Sequence, residues 1–125
     1  MGIEFDPLSR RVIGCAIEVH RALGPGLLES TYEQCVAHEL ASIPIEFEVQ
    51  KPLPVQYKGM TLDCGYRVDM LIKRSLILEL KAVEELTSVH EARLLTYMKL
   101  SGIRIGLLID FNVRLLRNGI RRFVI

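Results

Sequence analysis

Apolar positions follow helical spacing at the start of the chain, alternate through its middle, and return to helical spacing before a last pair of strands. In LSRRVIGCAIEVHRAL, Val12, Ala16, Val19 and Leu23 recur every three or four residues, with Ile13, Ile17 and His20 on the flank. Asp6 and Pro7 before this stretch read as an N-cap and a first helical position. The glycines and proline of Gly24–Gly26 end the helix. A second helix follows in LLESTYEQCVAHEL. Leu28, Tyr32, Val36 and Leu40 form its apolar stripe, widened by Cys35, and Glu29 and Glu33 form a neighbouring stripe one turn apart.

The period then changes. Ile45, Phe47 and Val49 alternate with Glu46, Glu48 and Gln50, which predicts a strand. Pro52 and Pro54 interrupt any central ladder, so this strand belongs at an edge, kinked before a second short strand and a turn at Gly59. The next strand is predicted from about Met60 to Leu71, bent at Gly65. SLILELK is almost unbroken in its apolar character and predicts a strand buried on both faces. A helix returns after Thr87. Ser88 and Glu91 make a capping box there, Ala92, Leu95 and Met98 point inward with Leu94 beside them, and Gly102 ends it. RIGLLIDF is another buried strand. The tail VRLLRNGIRRFVI reads as a terminal hairpin or paired strand turned at Asn118-Gly119. The order is α-α-β-β-β-β-α-β-β, an α/β chain in which helices flank a mixed sheet (α+β).

At 125 residues and without repeats or a linker, residues 1–125 are expected to form a single domain. Sixteen basic residues against 15 acidic ones give a net charge of +1, so no global field draws the chain to nucleic acid or membrane. Nucleic-acid contact needs a local patch. The candidates are Arg114, Arg117, Arg121 and Arg122 near one end and Arg10 and Arg11 near the other; the plainer reading of both groups is ordinary solvated charge. Cys15, Cys35 and Cys64 are odd in number and widely spaced, which suits a reducing, cytoplasmic location rather than a disulfide framework or a zinc site. The opening MGIEFDPLSRR carries acids and a proline ahead of its basic pair and does not read as a signal peptide. No apolar run approaches the ~20 residues that span a bilayer, so no membrane partner is expected.

The informative chemistry lies in GYRVDMLIKRSLILELKA. A reversal around Lys73, Arg74 and Ser75 sets Asp69 across from Glu79, Leu71 from Ile77 and Arg67 from Lys81. Strand periodicity then puts Asp69, Glu79, Arg67 and Lys81 on one face. Opposed β-carbons lie ~5 Å apart, and like charges there repel. A hard cation such as Mg²⁺, held by both carboxylates and the Leu80 carbonyl, would offset that repulsion. It would also activate water against a phosphodiester, with Lys81 orienting or deprotonating the water or stabilising charge on the phosphate. Spacing leaves a second arrangement open: a solvated face on which Asp69 pairs with Arg67 and Glu79 with Lys81. A one-residue slip would part the two acids.

Asp69, nine intervening residues and Glu79-Leu80-Lys81 resemble the PD-(D/E)XK nuclease signature. The chain as a whole resembles one small branch of that superfamily, the GxxExxY proteins. GLLESTY supplies Gly26, Glu29 and Tyr32, followed in order by YRVD, LELKA, HEARLLTYMK, GLLIDF and NGIRR. The resemblance implies a restriction-endonuclease-like core and a weakly bound Mg²⁺ or Mn²⁺. It implies Asp69 and Glu79 as metal-binding acids, Lys81 as the catalytic lysine and Glu29 as an extra metal ligand. Tyr32 lies on an apolar stripe, which implies packing, with its hydroxyl available to a site acid. Two positions depart from the pattern. Arg93 stands where such proteins commonly carry Gln, sharing a helix face with Tyr97 and, three residues earlier, His90; it would either neutralise the acids or grip a phosphate. Asp110 stands where an Asn is usual.

His20, His38 and His90 form no metal-binding pair, Gly24–Gly26 lacks the Lys of a phosphate-cradling loop, and Ser30 and Thr31 have no evident base. The expected function is metal-dependent phosphodiester hydrolysis of DNA or RNA. The alternative is a non-catalytic module that keeps the nuclease skeleton to bind nucleic acid or protein. DNA interfaces bury ~1,000–2,500 Å² of protein surface, so a chain this small is expected to act as a homodimer or with a partner protein.

Overall fold

The computed structural model describes residues 6–125; the opening segment read above against a signal peptide begins outside them. Helix α1 (Pro7–Leu23) starts where Asp6 accepts hydrogen bonds from the Ser9 backbone N–H (3.0 Å) and hydroxyl (2.6 Å). Helix α2 (Glu29–Ser42) buries Tyr32, Val36 and Leu40 of the predicted stripe in the same core as Val12, Ala16 and Val19 of α1, whereas Leu28 is the exposed N-cap and lies outside the helix. Glu29 sits in its first turn, where free N–H groups favour a carboxylate.

Five strands form one sheet in the order β1–β4–β5–β6–β7: β1 (Phe47–Pro52), β4 (Arg67–Ile72), β5 (Leu76–Lys81), β6 (Ile105–Asp110) and β7 (Ile120–Val124). Strand β1, which ends at Pro52 with Pro54 just beyond it, lies at the edge, where a missing proline N–H is tolerated. β5 and β6 are parallel and joined through helix α3 (Ser88–Ser101); the other neighbours are antiparallel. Central β5 is buried on both faces, as predicted. Leu76, Leu78 and Leu80 enter the core under α1 and α2, and Ile77 enters the core under α3. The mixed sheet with helices on both faces is the expected architecture.

Four local expectations are corrected. The strand predicted from Met60 to Leu71 is two strands. β3 (Met60–Leu62) pairs only with β2 (Val55–Tyr57) in a separate exposed hairpin. An Asp63 side chain accepting from Gly65 N–H (3.1 Å) then turns the chain before β4. The cap of α3 is Thr87, not Ser88. The imidazole of His90 takes the part given to Glu91, with Nδ1 accepting from Thr87 N–H at 3.0 Å. The inward face of α3 is Leu94, Tyr97 and Met98, while Ala92 is exposed and Leu95 half-buried; Leu94 and Met98 pack over Gly106 of β6, which has no side chain to hold them off. Asn118 and Gly119 do not turn a tight hairpin. They close a 3₁₀ turn (Leu116–Gly119) at the end of a longer connection, and the strand that follows, β7, pairs with β6, the other form expected of the tail. A Cβ on Gly119 would stand 2.2 Å from the Asp110 carbonyl oxygen, so only glycine fits.

Candidate active site

The β4–β5 hairpin has the register read from the sequence: Met70 pairs with Leu78, Leu71 with Ile77 and Ile72 with Leu76. One step further, at Asp69 and Glu79, side chains replace the ladder. Glu79 Oε1 accepts from Asp69 N–H (3.1 Å), and Asp69 Oδ2 accepts from Leu80 N–H (2.8 Å). Each carboxylate thus lies against the other's strand. The twist that permits this is visible on both sides. Val68 packs in the α3 core and Met70 in the α1–α2 core, although residues two apart in a strand normally share a face. Opposite Asp69, Gln50 has a φ of 53° and interrupts β1 pairing between Val49↔Met70 and Lys51↔Val68.

The two acids are crowded. Glu79 is buried, and burial drives its carboxyl up to about 8. The Asp69 charge adds to the rise, the Asp69 backbone N–H opposes it, a side-chain hydrogen bond with Asp69 favours the protonated form, and Lys81 pulls the other way. The ion-pair face is not formed: among the described residues the salt bridges are Lys51–Glu48, Arg121–Glu91 and Arg122–Asp6. Arg67 instead donates to the Gln50 carbonyl (3.3 Å).

Lys81 ends β5 half-buried, two residues from Glu79 and paired in register with Asp110. Leu80 gives its N–H to Asp69. Glu29 reaches the same strand end but accepts from Ala82 N–H at 3.3 Å. The acid of α2 that senses Asp69 is Glu33. Gln50 Nε2 bridges Glu33 Oε2 (2.8 Å) and Asp69 Oδ1 (3.4 Å). Burial raises the Glu33 pKa, the Gln50 hydrogen bond opposes the rise and the Asp69 charge adds to it. Sequence reasoning placed Glu33 beside Glu29 on one helix stripe without assigning it to the site, and read Gln50 only as a polar strand position.

Tyr97 lies over the acids from α3. Burial raises its pKa, followed in size by the Glu79 charge, and its ring stands 6.2 Å from that of Tyr66. Arg93, one turn earlier, is exposed and is not inserted among the acids. Tyr32 is fully buried and stacked on Phe111 (4.4 Å). Its hydroxyl donates to the Gly24 carbonyl (2.6 Å) and accepts from Leu27 N–H (3.1 Å), so it holds a loop rather than a site acid. His90 is engaged in the α3 cap. Asp110 Oδ1 accepts from Val83 and Asn112 N–H, both at 3.1 Å, tying the chain after β5 to the end of β6.

Among the described residues no group of three or more His, Cys, Asp or Glu side chains is arranged to hold a metal ion. Two carboxylates do meet, and hard oxygen donors crowded to the point of raising a pKa suit Mg²⁺ or Mn²⁺. Among the described residues no helix is long and apolar enough to cross a membrane. A model of the PD-(D/E)XK nuclease superfamily matches residues 6–123. No curated protein and no solved structure matches the chain.

Proposed function

The chain belongs to the PD-(D/E)XK nuclease superfamily, and from that premise we propose that it is a metal-dependent phosphodiester hydrolase acting on nucleic acid. The observation that carries this reading is the exchange of backbone hydrogen bonds that draws Asp69 and Glu79 together, with Lys81 two residues beyond Glu79. Asp69, Glu79 and the Leu80 carbonyl would hold Mg²⁺ or Mn²⁺. When bound, the ion would polarise a phosphoryl oxygen and lower the pKa of a coordinated water. Lys81 orients the attacking water and stabilises charge on the phosphate. The water oxygen forms the new P–O bond as its proton passes to Lys81 or to solvent, the ester P–O bond breaks, and the leaving alkoxide takes up a proton from solvent. Exposed Arg93 is free to grip a phosphate oxygen, with Tyr97 beneath it. The free thiols of Cys15, Cys35 and Cys64 agree with work in a reducing compartment such as the cytoplasm.

Calorimetric titration with Mn²⁺ and Mg²⁺ tests the metal site. Weak binding is expected in the native chain and none in Asp69→Asn or Glu79→Gln. Cleavage of plasmid, linear duplex, single-stranded DNA and RNA tests the chemistry. Lys81→Ala should keep metal binding and lose cleavage. Unchanged metal affinity in both acid variants, or cleavage that survives the loss of Lys81, would overturn the reading. The second reading is a non-catalytic nucleic-acid-binding or protein-interaction module. It is favoured by the placement of Glu29 at Ala82 N–H instead of beside Asp69 and Glu79. It predicts oligonucleotide binding without turnover.

A further inference from the structure

Beyond the end of α1 lies a hollow of about 600 Å³, walled by the Gly24–Pro25 turn and by the connection after β6. Arg21, Arg114 and Arg117 line it and no carboxylate does. All three arginines are exposed, and none of their guanidinium groups is engaged in a hydrogen bond or ion pair among the described residues. Arg121 and Arg122, which the sequence groups with them, are committed elsewhere, to Glu91 and Asp6. His20, at the wall, donates from Nε2 to the Val113 carbonyl (2.7 Å) and so fixes the connection that carries Arg114. In a chain of net charge +1, three unopposed guanidinium groups around one concavity form a local positive field.

The hollow sits close to the candidate active site along the chain. Phe111 N–H donates to the Lys81 carbonyl at 2.9 Å, and Arg114 follows three residues later, a backbone reach of at most ~11 Å. On the other wall, Pro25 precedes Glu29 by four residues, and Glu29 lies against Ala82. Both features stand at the C-terminal end of the parallel β5–β6 pair, the side of an α/β sheet where ligands collect. A nucleic-acid strand advances ~3.4 Å per phosphate, so a few nucleotides span the interval.

We propose that Arg21, Arg114 and Arg117 form a docking groove for the sugar-phosphate backbone of a nucleic-acid strand whose neighbouring phosphodiester lies at Asp69, Glu79 and Lys81. The location of the cut bond rests on the nuclease reading; the groove itself does not. The lining offers half-exposed Leu115 and Pro25 but no Phe, Tyr or Trp on which a base would stack. The groove therefore tracks the backbone and is indifferent to sequence.

The test is fluorescence anisotropy of labelled single-stranded and duplex oligonucleotides, titrated with the intact chain in EDTA over a range of salt. Arg114→Gln/Arg117→Gln should bind roughly tenfold more weakly. It should also lose about 1.4–1.8 from the slope of log affinity against log salt, at ~0.7 per phosphate contact on single strands and ~0.9 on duplex. Arg10→Gln/Arg11→Gln, which removes the same charge at the far end of α1, should change neither quantity by as much. Inorganic phosphate at an equal concentration of phosphate groups should not displace the strand. Equal losses in the two double variants, an unchanged slope in the first, or displacement by inorganic phosphate would each overturn the groove. Because binding is read without divalent ion, a failure of the metal site leaves this result standing, and a failure here leaves the metal titration standing.

Discussion

Glu79 exchanges bulk water for a seam in which Asp69 is the adjoining charge, and its protonation follows from that exchange. Its pKa in the folded chain is about 8 against an ordinary 4.5. Between those values the folded chain binds more protons than the unfolded one, so this group's contribution to stability is intact below pH 4.5 and is lost as pH rises through about 8. Glu79→Gln keeps an acceptor for Asp69 N–H, adds a donor toward the Asp69 carboxylate and cannot ionise. It is expected to raise the metal-free chain's stability above pH 8 by on the order of 2–4 kcal/mol, and to change it little below pH 4.5. Urea unfolding in EDTA at the two ends of that range measures it. Arg93 makes the opposite case. It is exposed and outside the acid cluster, so solvent screens its effect there. Arg93→Gln should leave Mn²⁺ affinity within about twofold. A clear gain in affinity by calorimetry would mean that Arg93 neutralises the acids after all.

Elements were legible in the sequence wherever one force dominated. Helices α1 and α2 and central β5 announce themselves through continuous apolar faces. The hairpin register follows because Lys73–Ser75 is the only polar break between two apolar runs, and any slip would bury charge. What stayed hidden depended on side chains acting in place of backbone. The Asp63 turn splits a strand that periodicity joins, His90 caps α3 where a carboxylate is usual, and Gln50 bridges Glu33 to Asp69 from a left-handed backbone. The GxxExxY pattern gains a physical account at this scale. Gly26 adopts a φ of 103°, Glu29 holds the end of β5, and Tyr32 clamps the loop between α1 and α2. Tyr32→Phe leaves the Gly24 carbonyl and the Leu27 N–H without their partner. It should cost ~1–3 kcal/mol in urea unfolding, with metal affinity retained. Gly119→Ala forces a methyl onto the Asp110 carbonyl. It should cost a similar ~1–3 kcal/mol and loosen the connection that bears Arg114 and Arg117.

Across the whole molecule the last strand is tied to the first helix and two acids are held in opposite electrostatic states, and together these set its response to pH. Arg122 of β7 donates to Asp6 at 2.7 Å, tying the last strand to the start of α1. Burial pushes the Asp6 carboxyl up, but the Ser9 hydroxyl and N–H and then Arg122 outweigh it and bring the pKa from 3.8 to about 2. The folded chain therefore binds fewer protons there, and the stability Asp6 contributes is present above pH 3.8 and lost as pH falls through about 2. Glu79 and Glu33 are shifted the other way and cost stability as pH rises above 4.5. Without a divalent ion, these opposed slopes place the maximum of stability near pH 4–5, below the usual range of ~5–8. Metal held by Asp69 and Glu79 requires the ionised carboxylates and releases the Glu79 proton. Saturating Mn²⁺ should therefore raise Tm most above pH 8, hardly at all below pH 4.5, and carry the maximum toward neutrality. Melting curves across this range, with EDTA and with Mn²⁺, report both limbs. Arg122→Gln should flatten the acid limb and lower stability throughout the range above pH 3.8, and Glu79→Gln should flatten the alkaline limb. A metal-free maximum already at neutral pH, unmoved by Mn²⁺, would show that the two acids do not share one site.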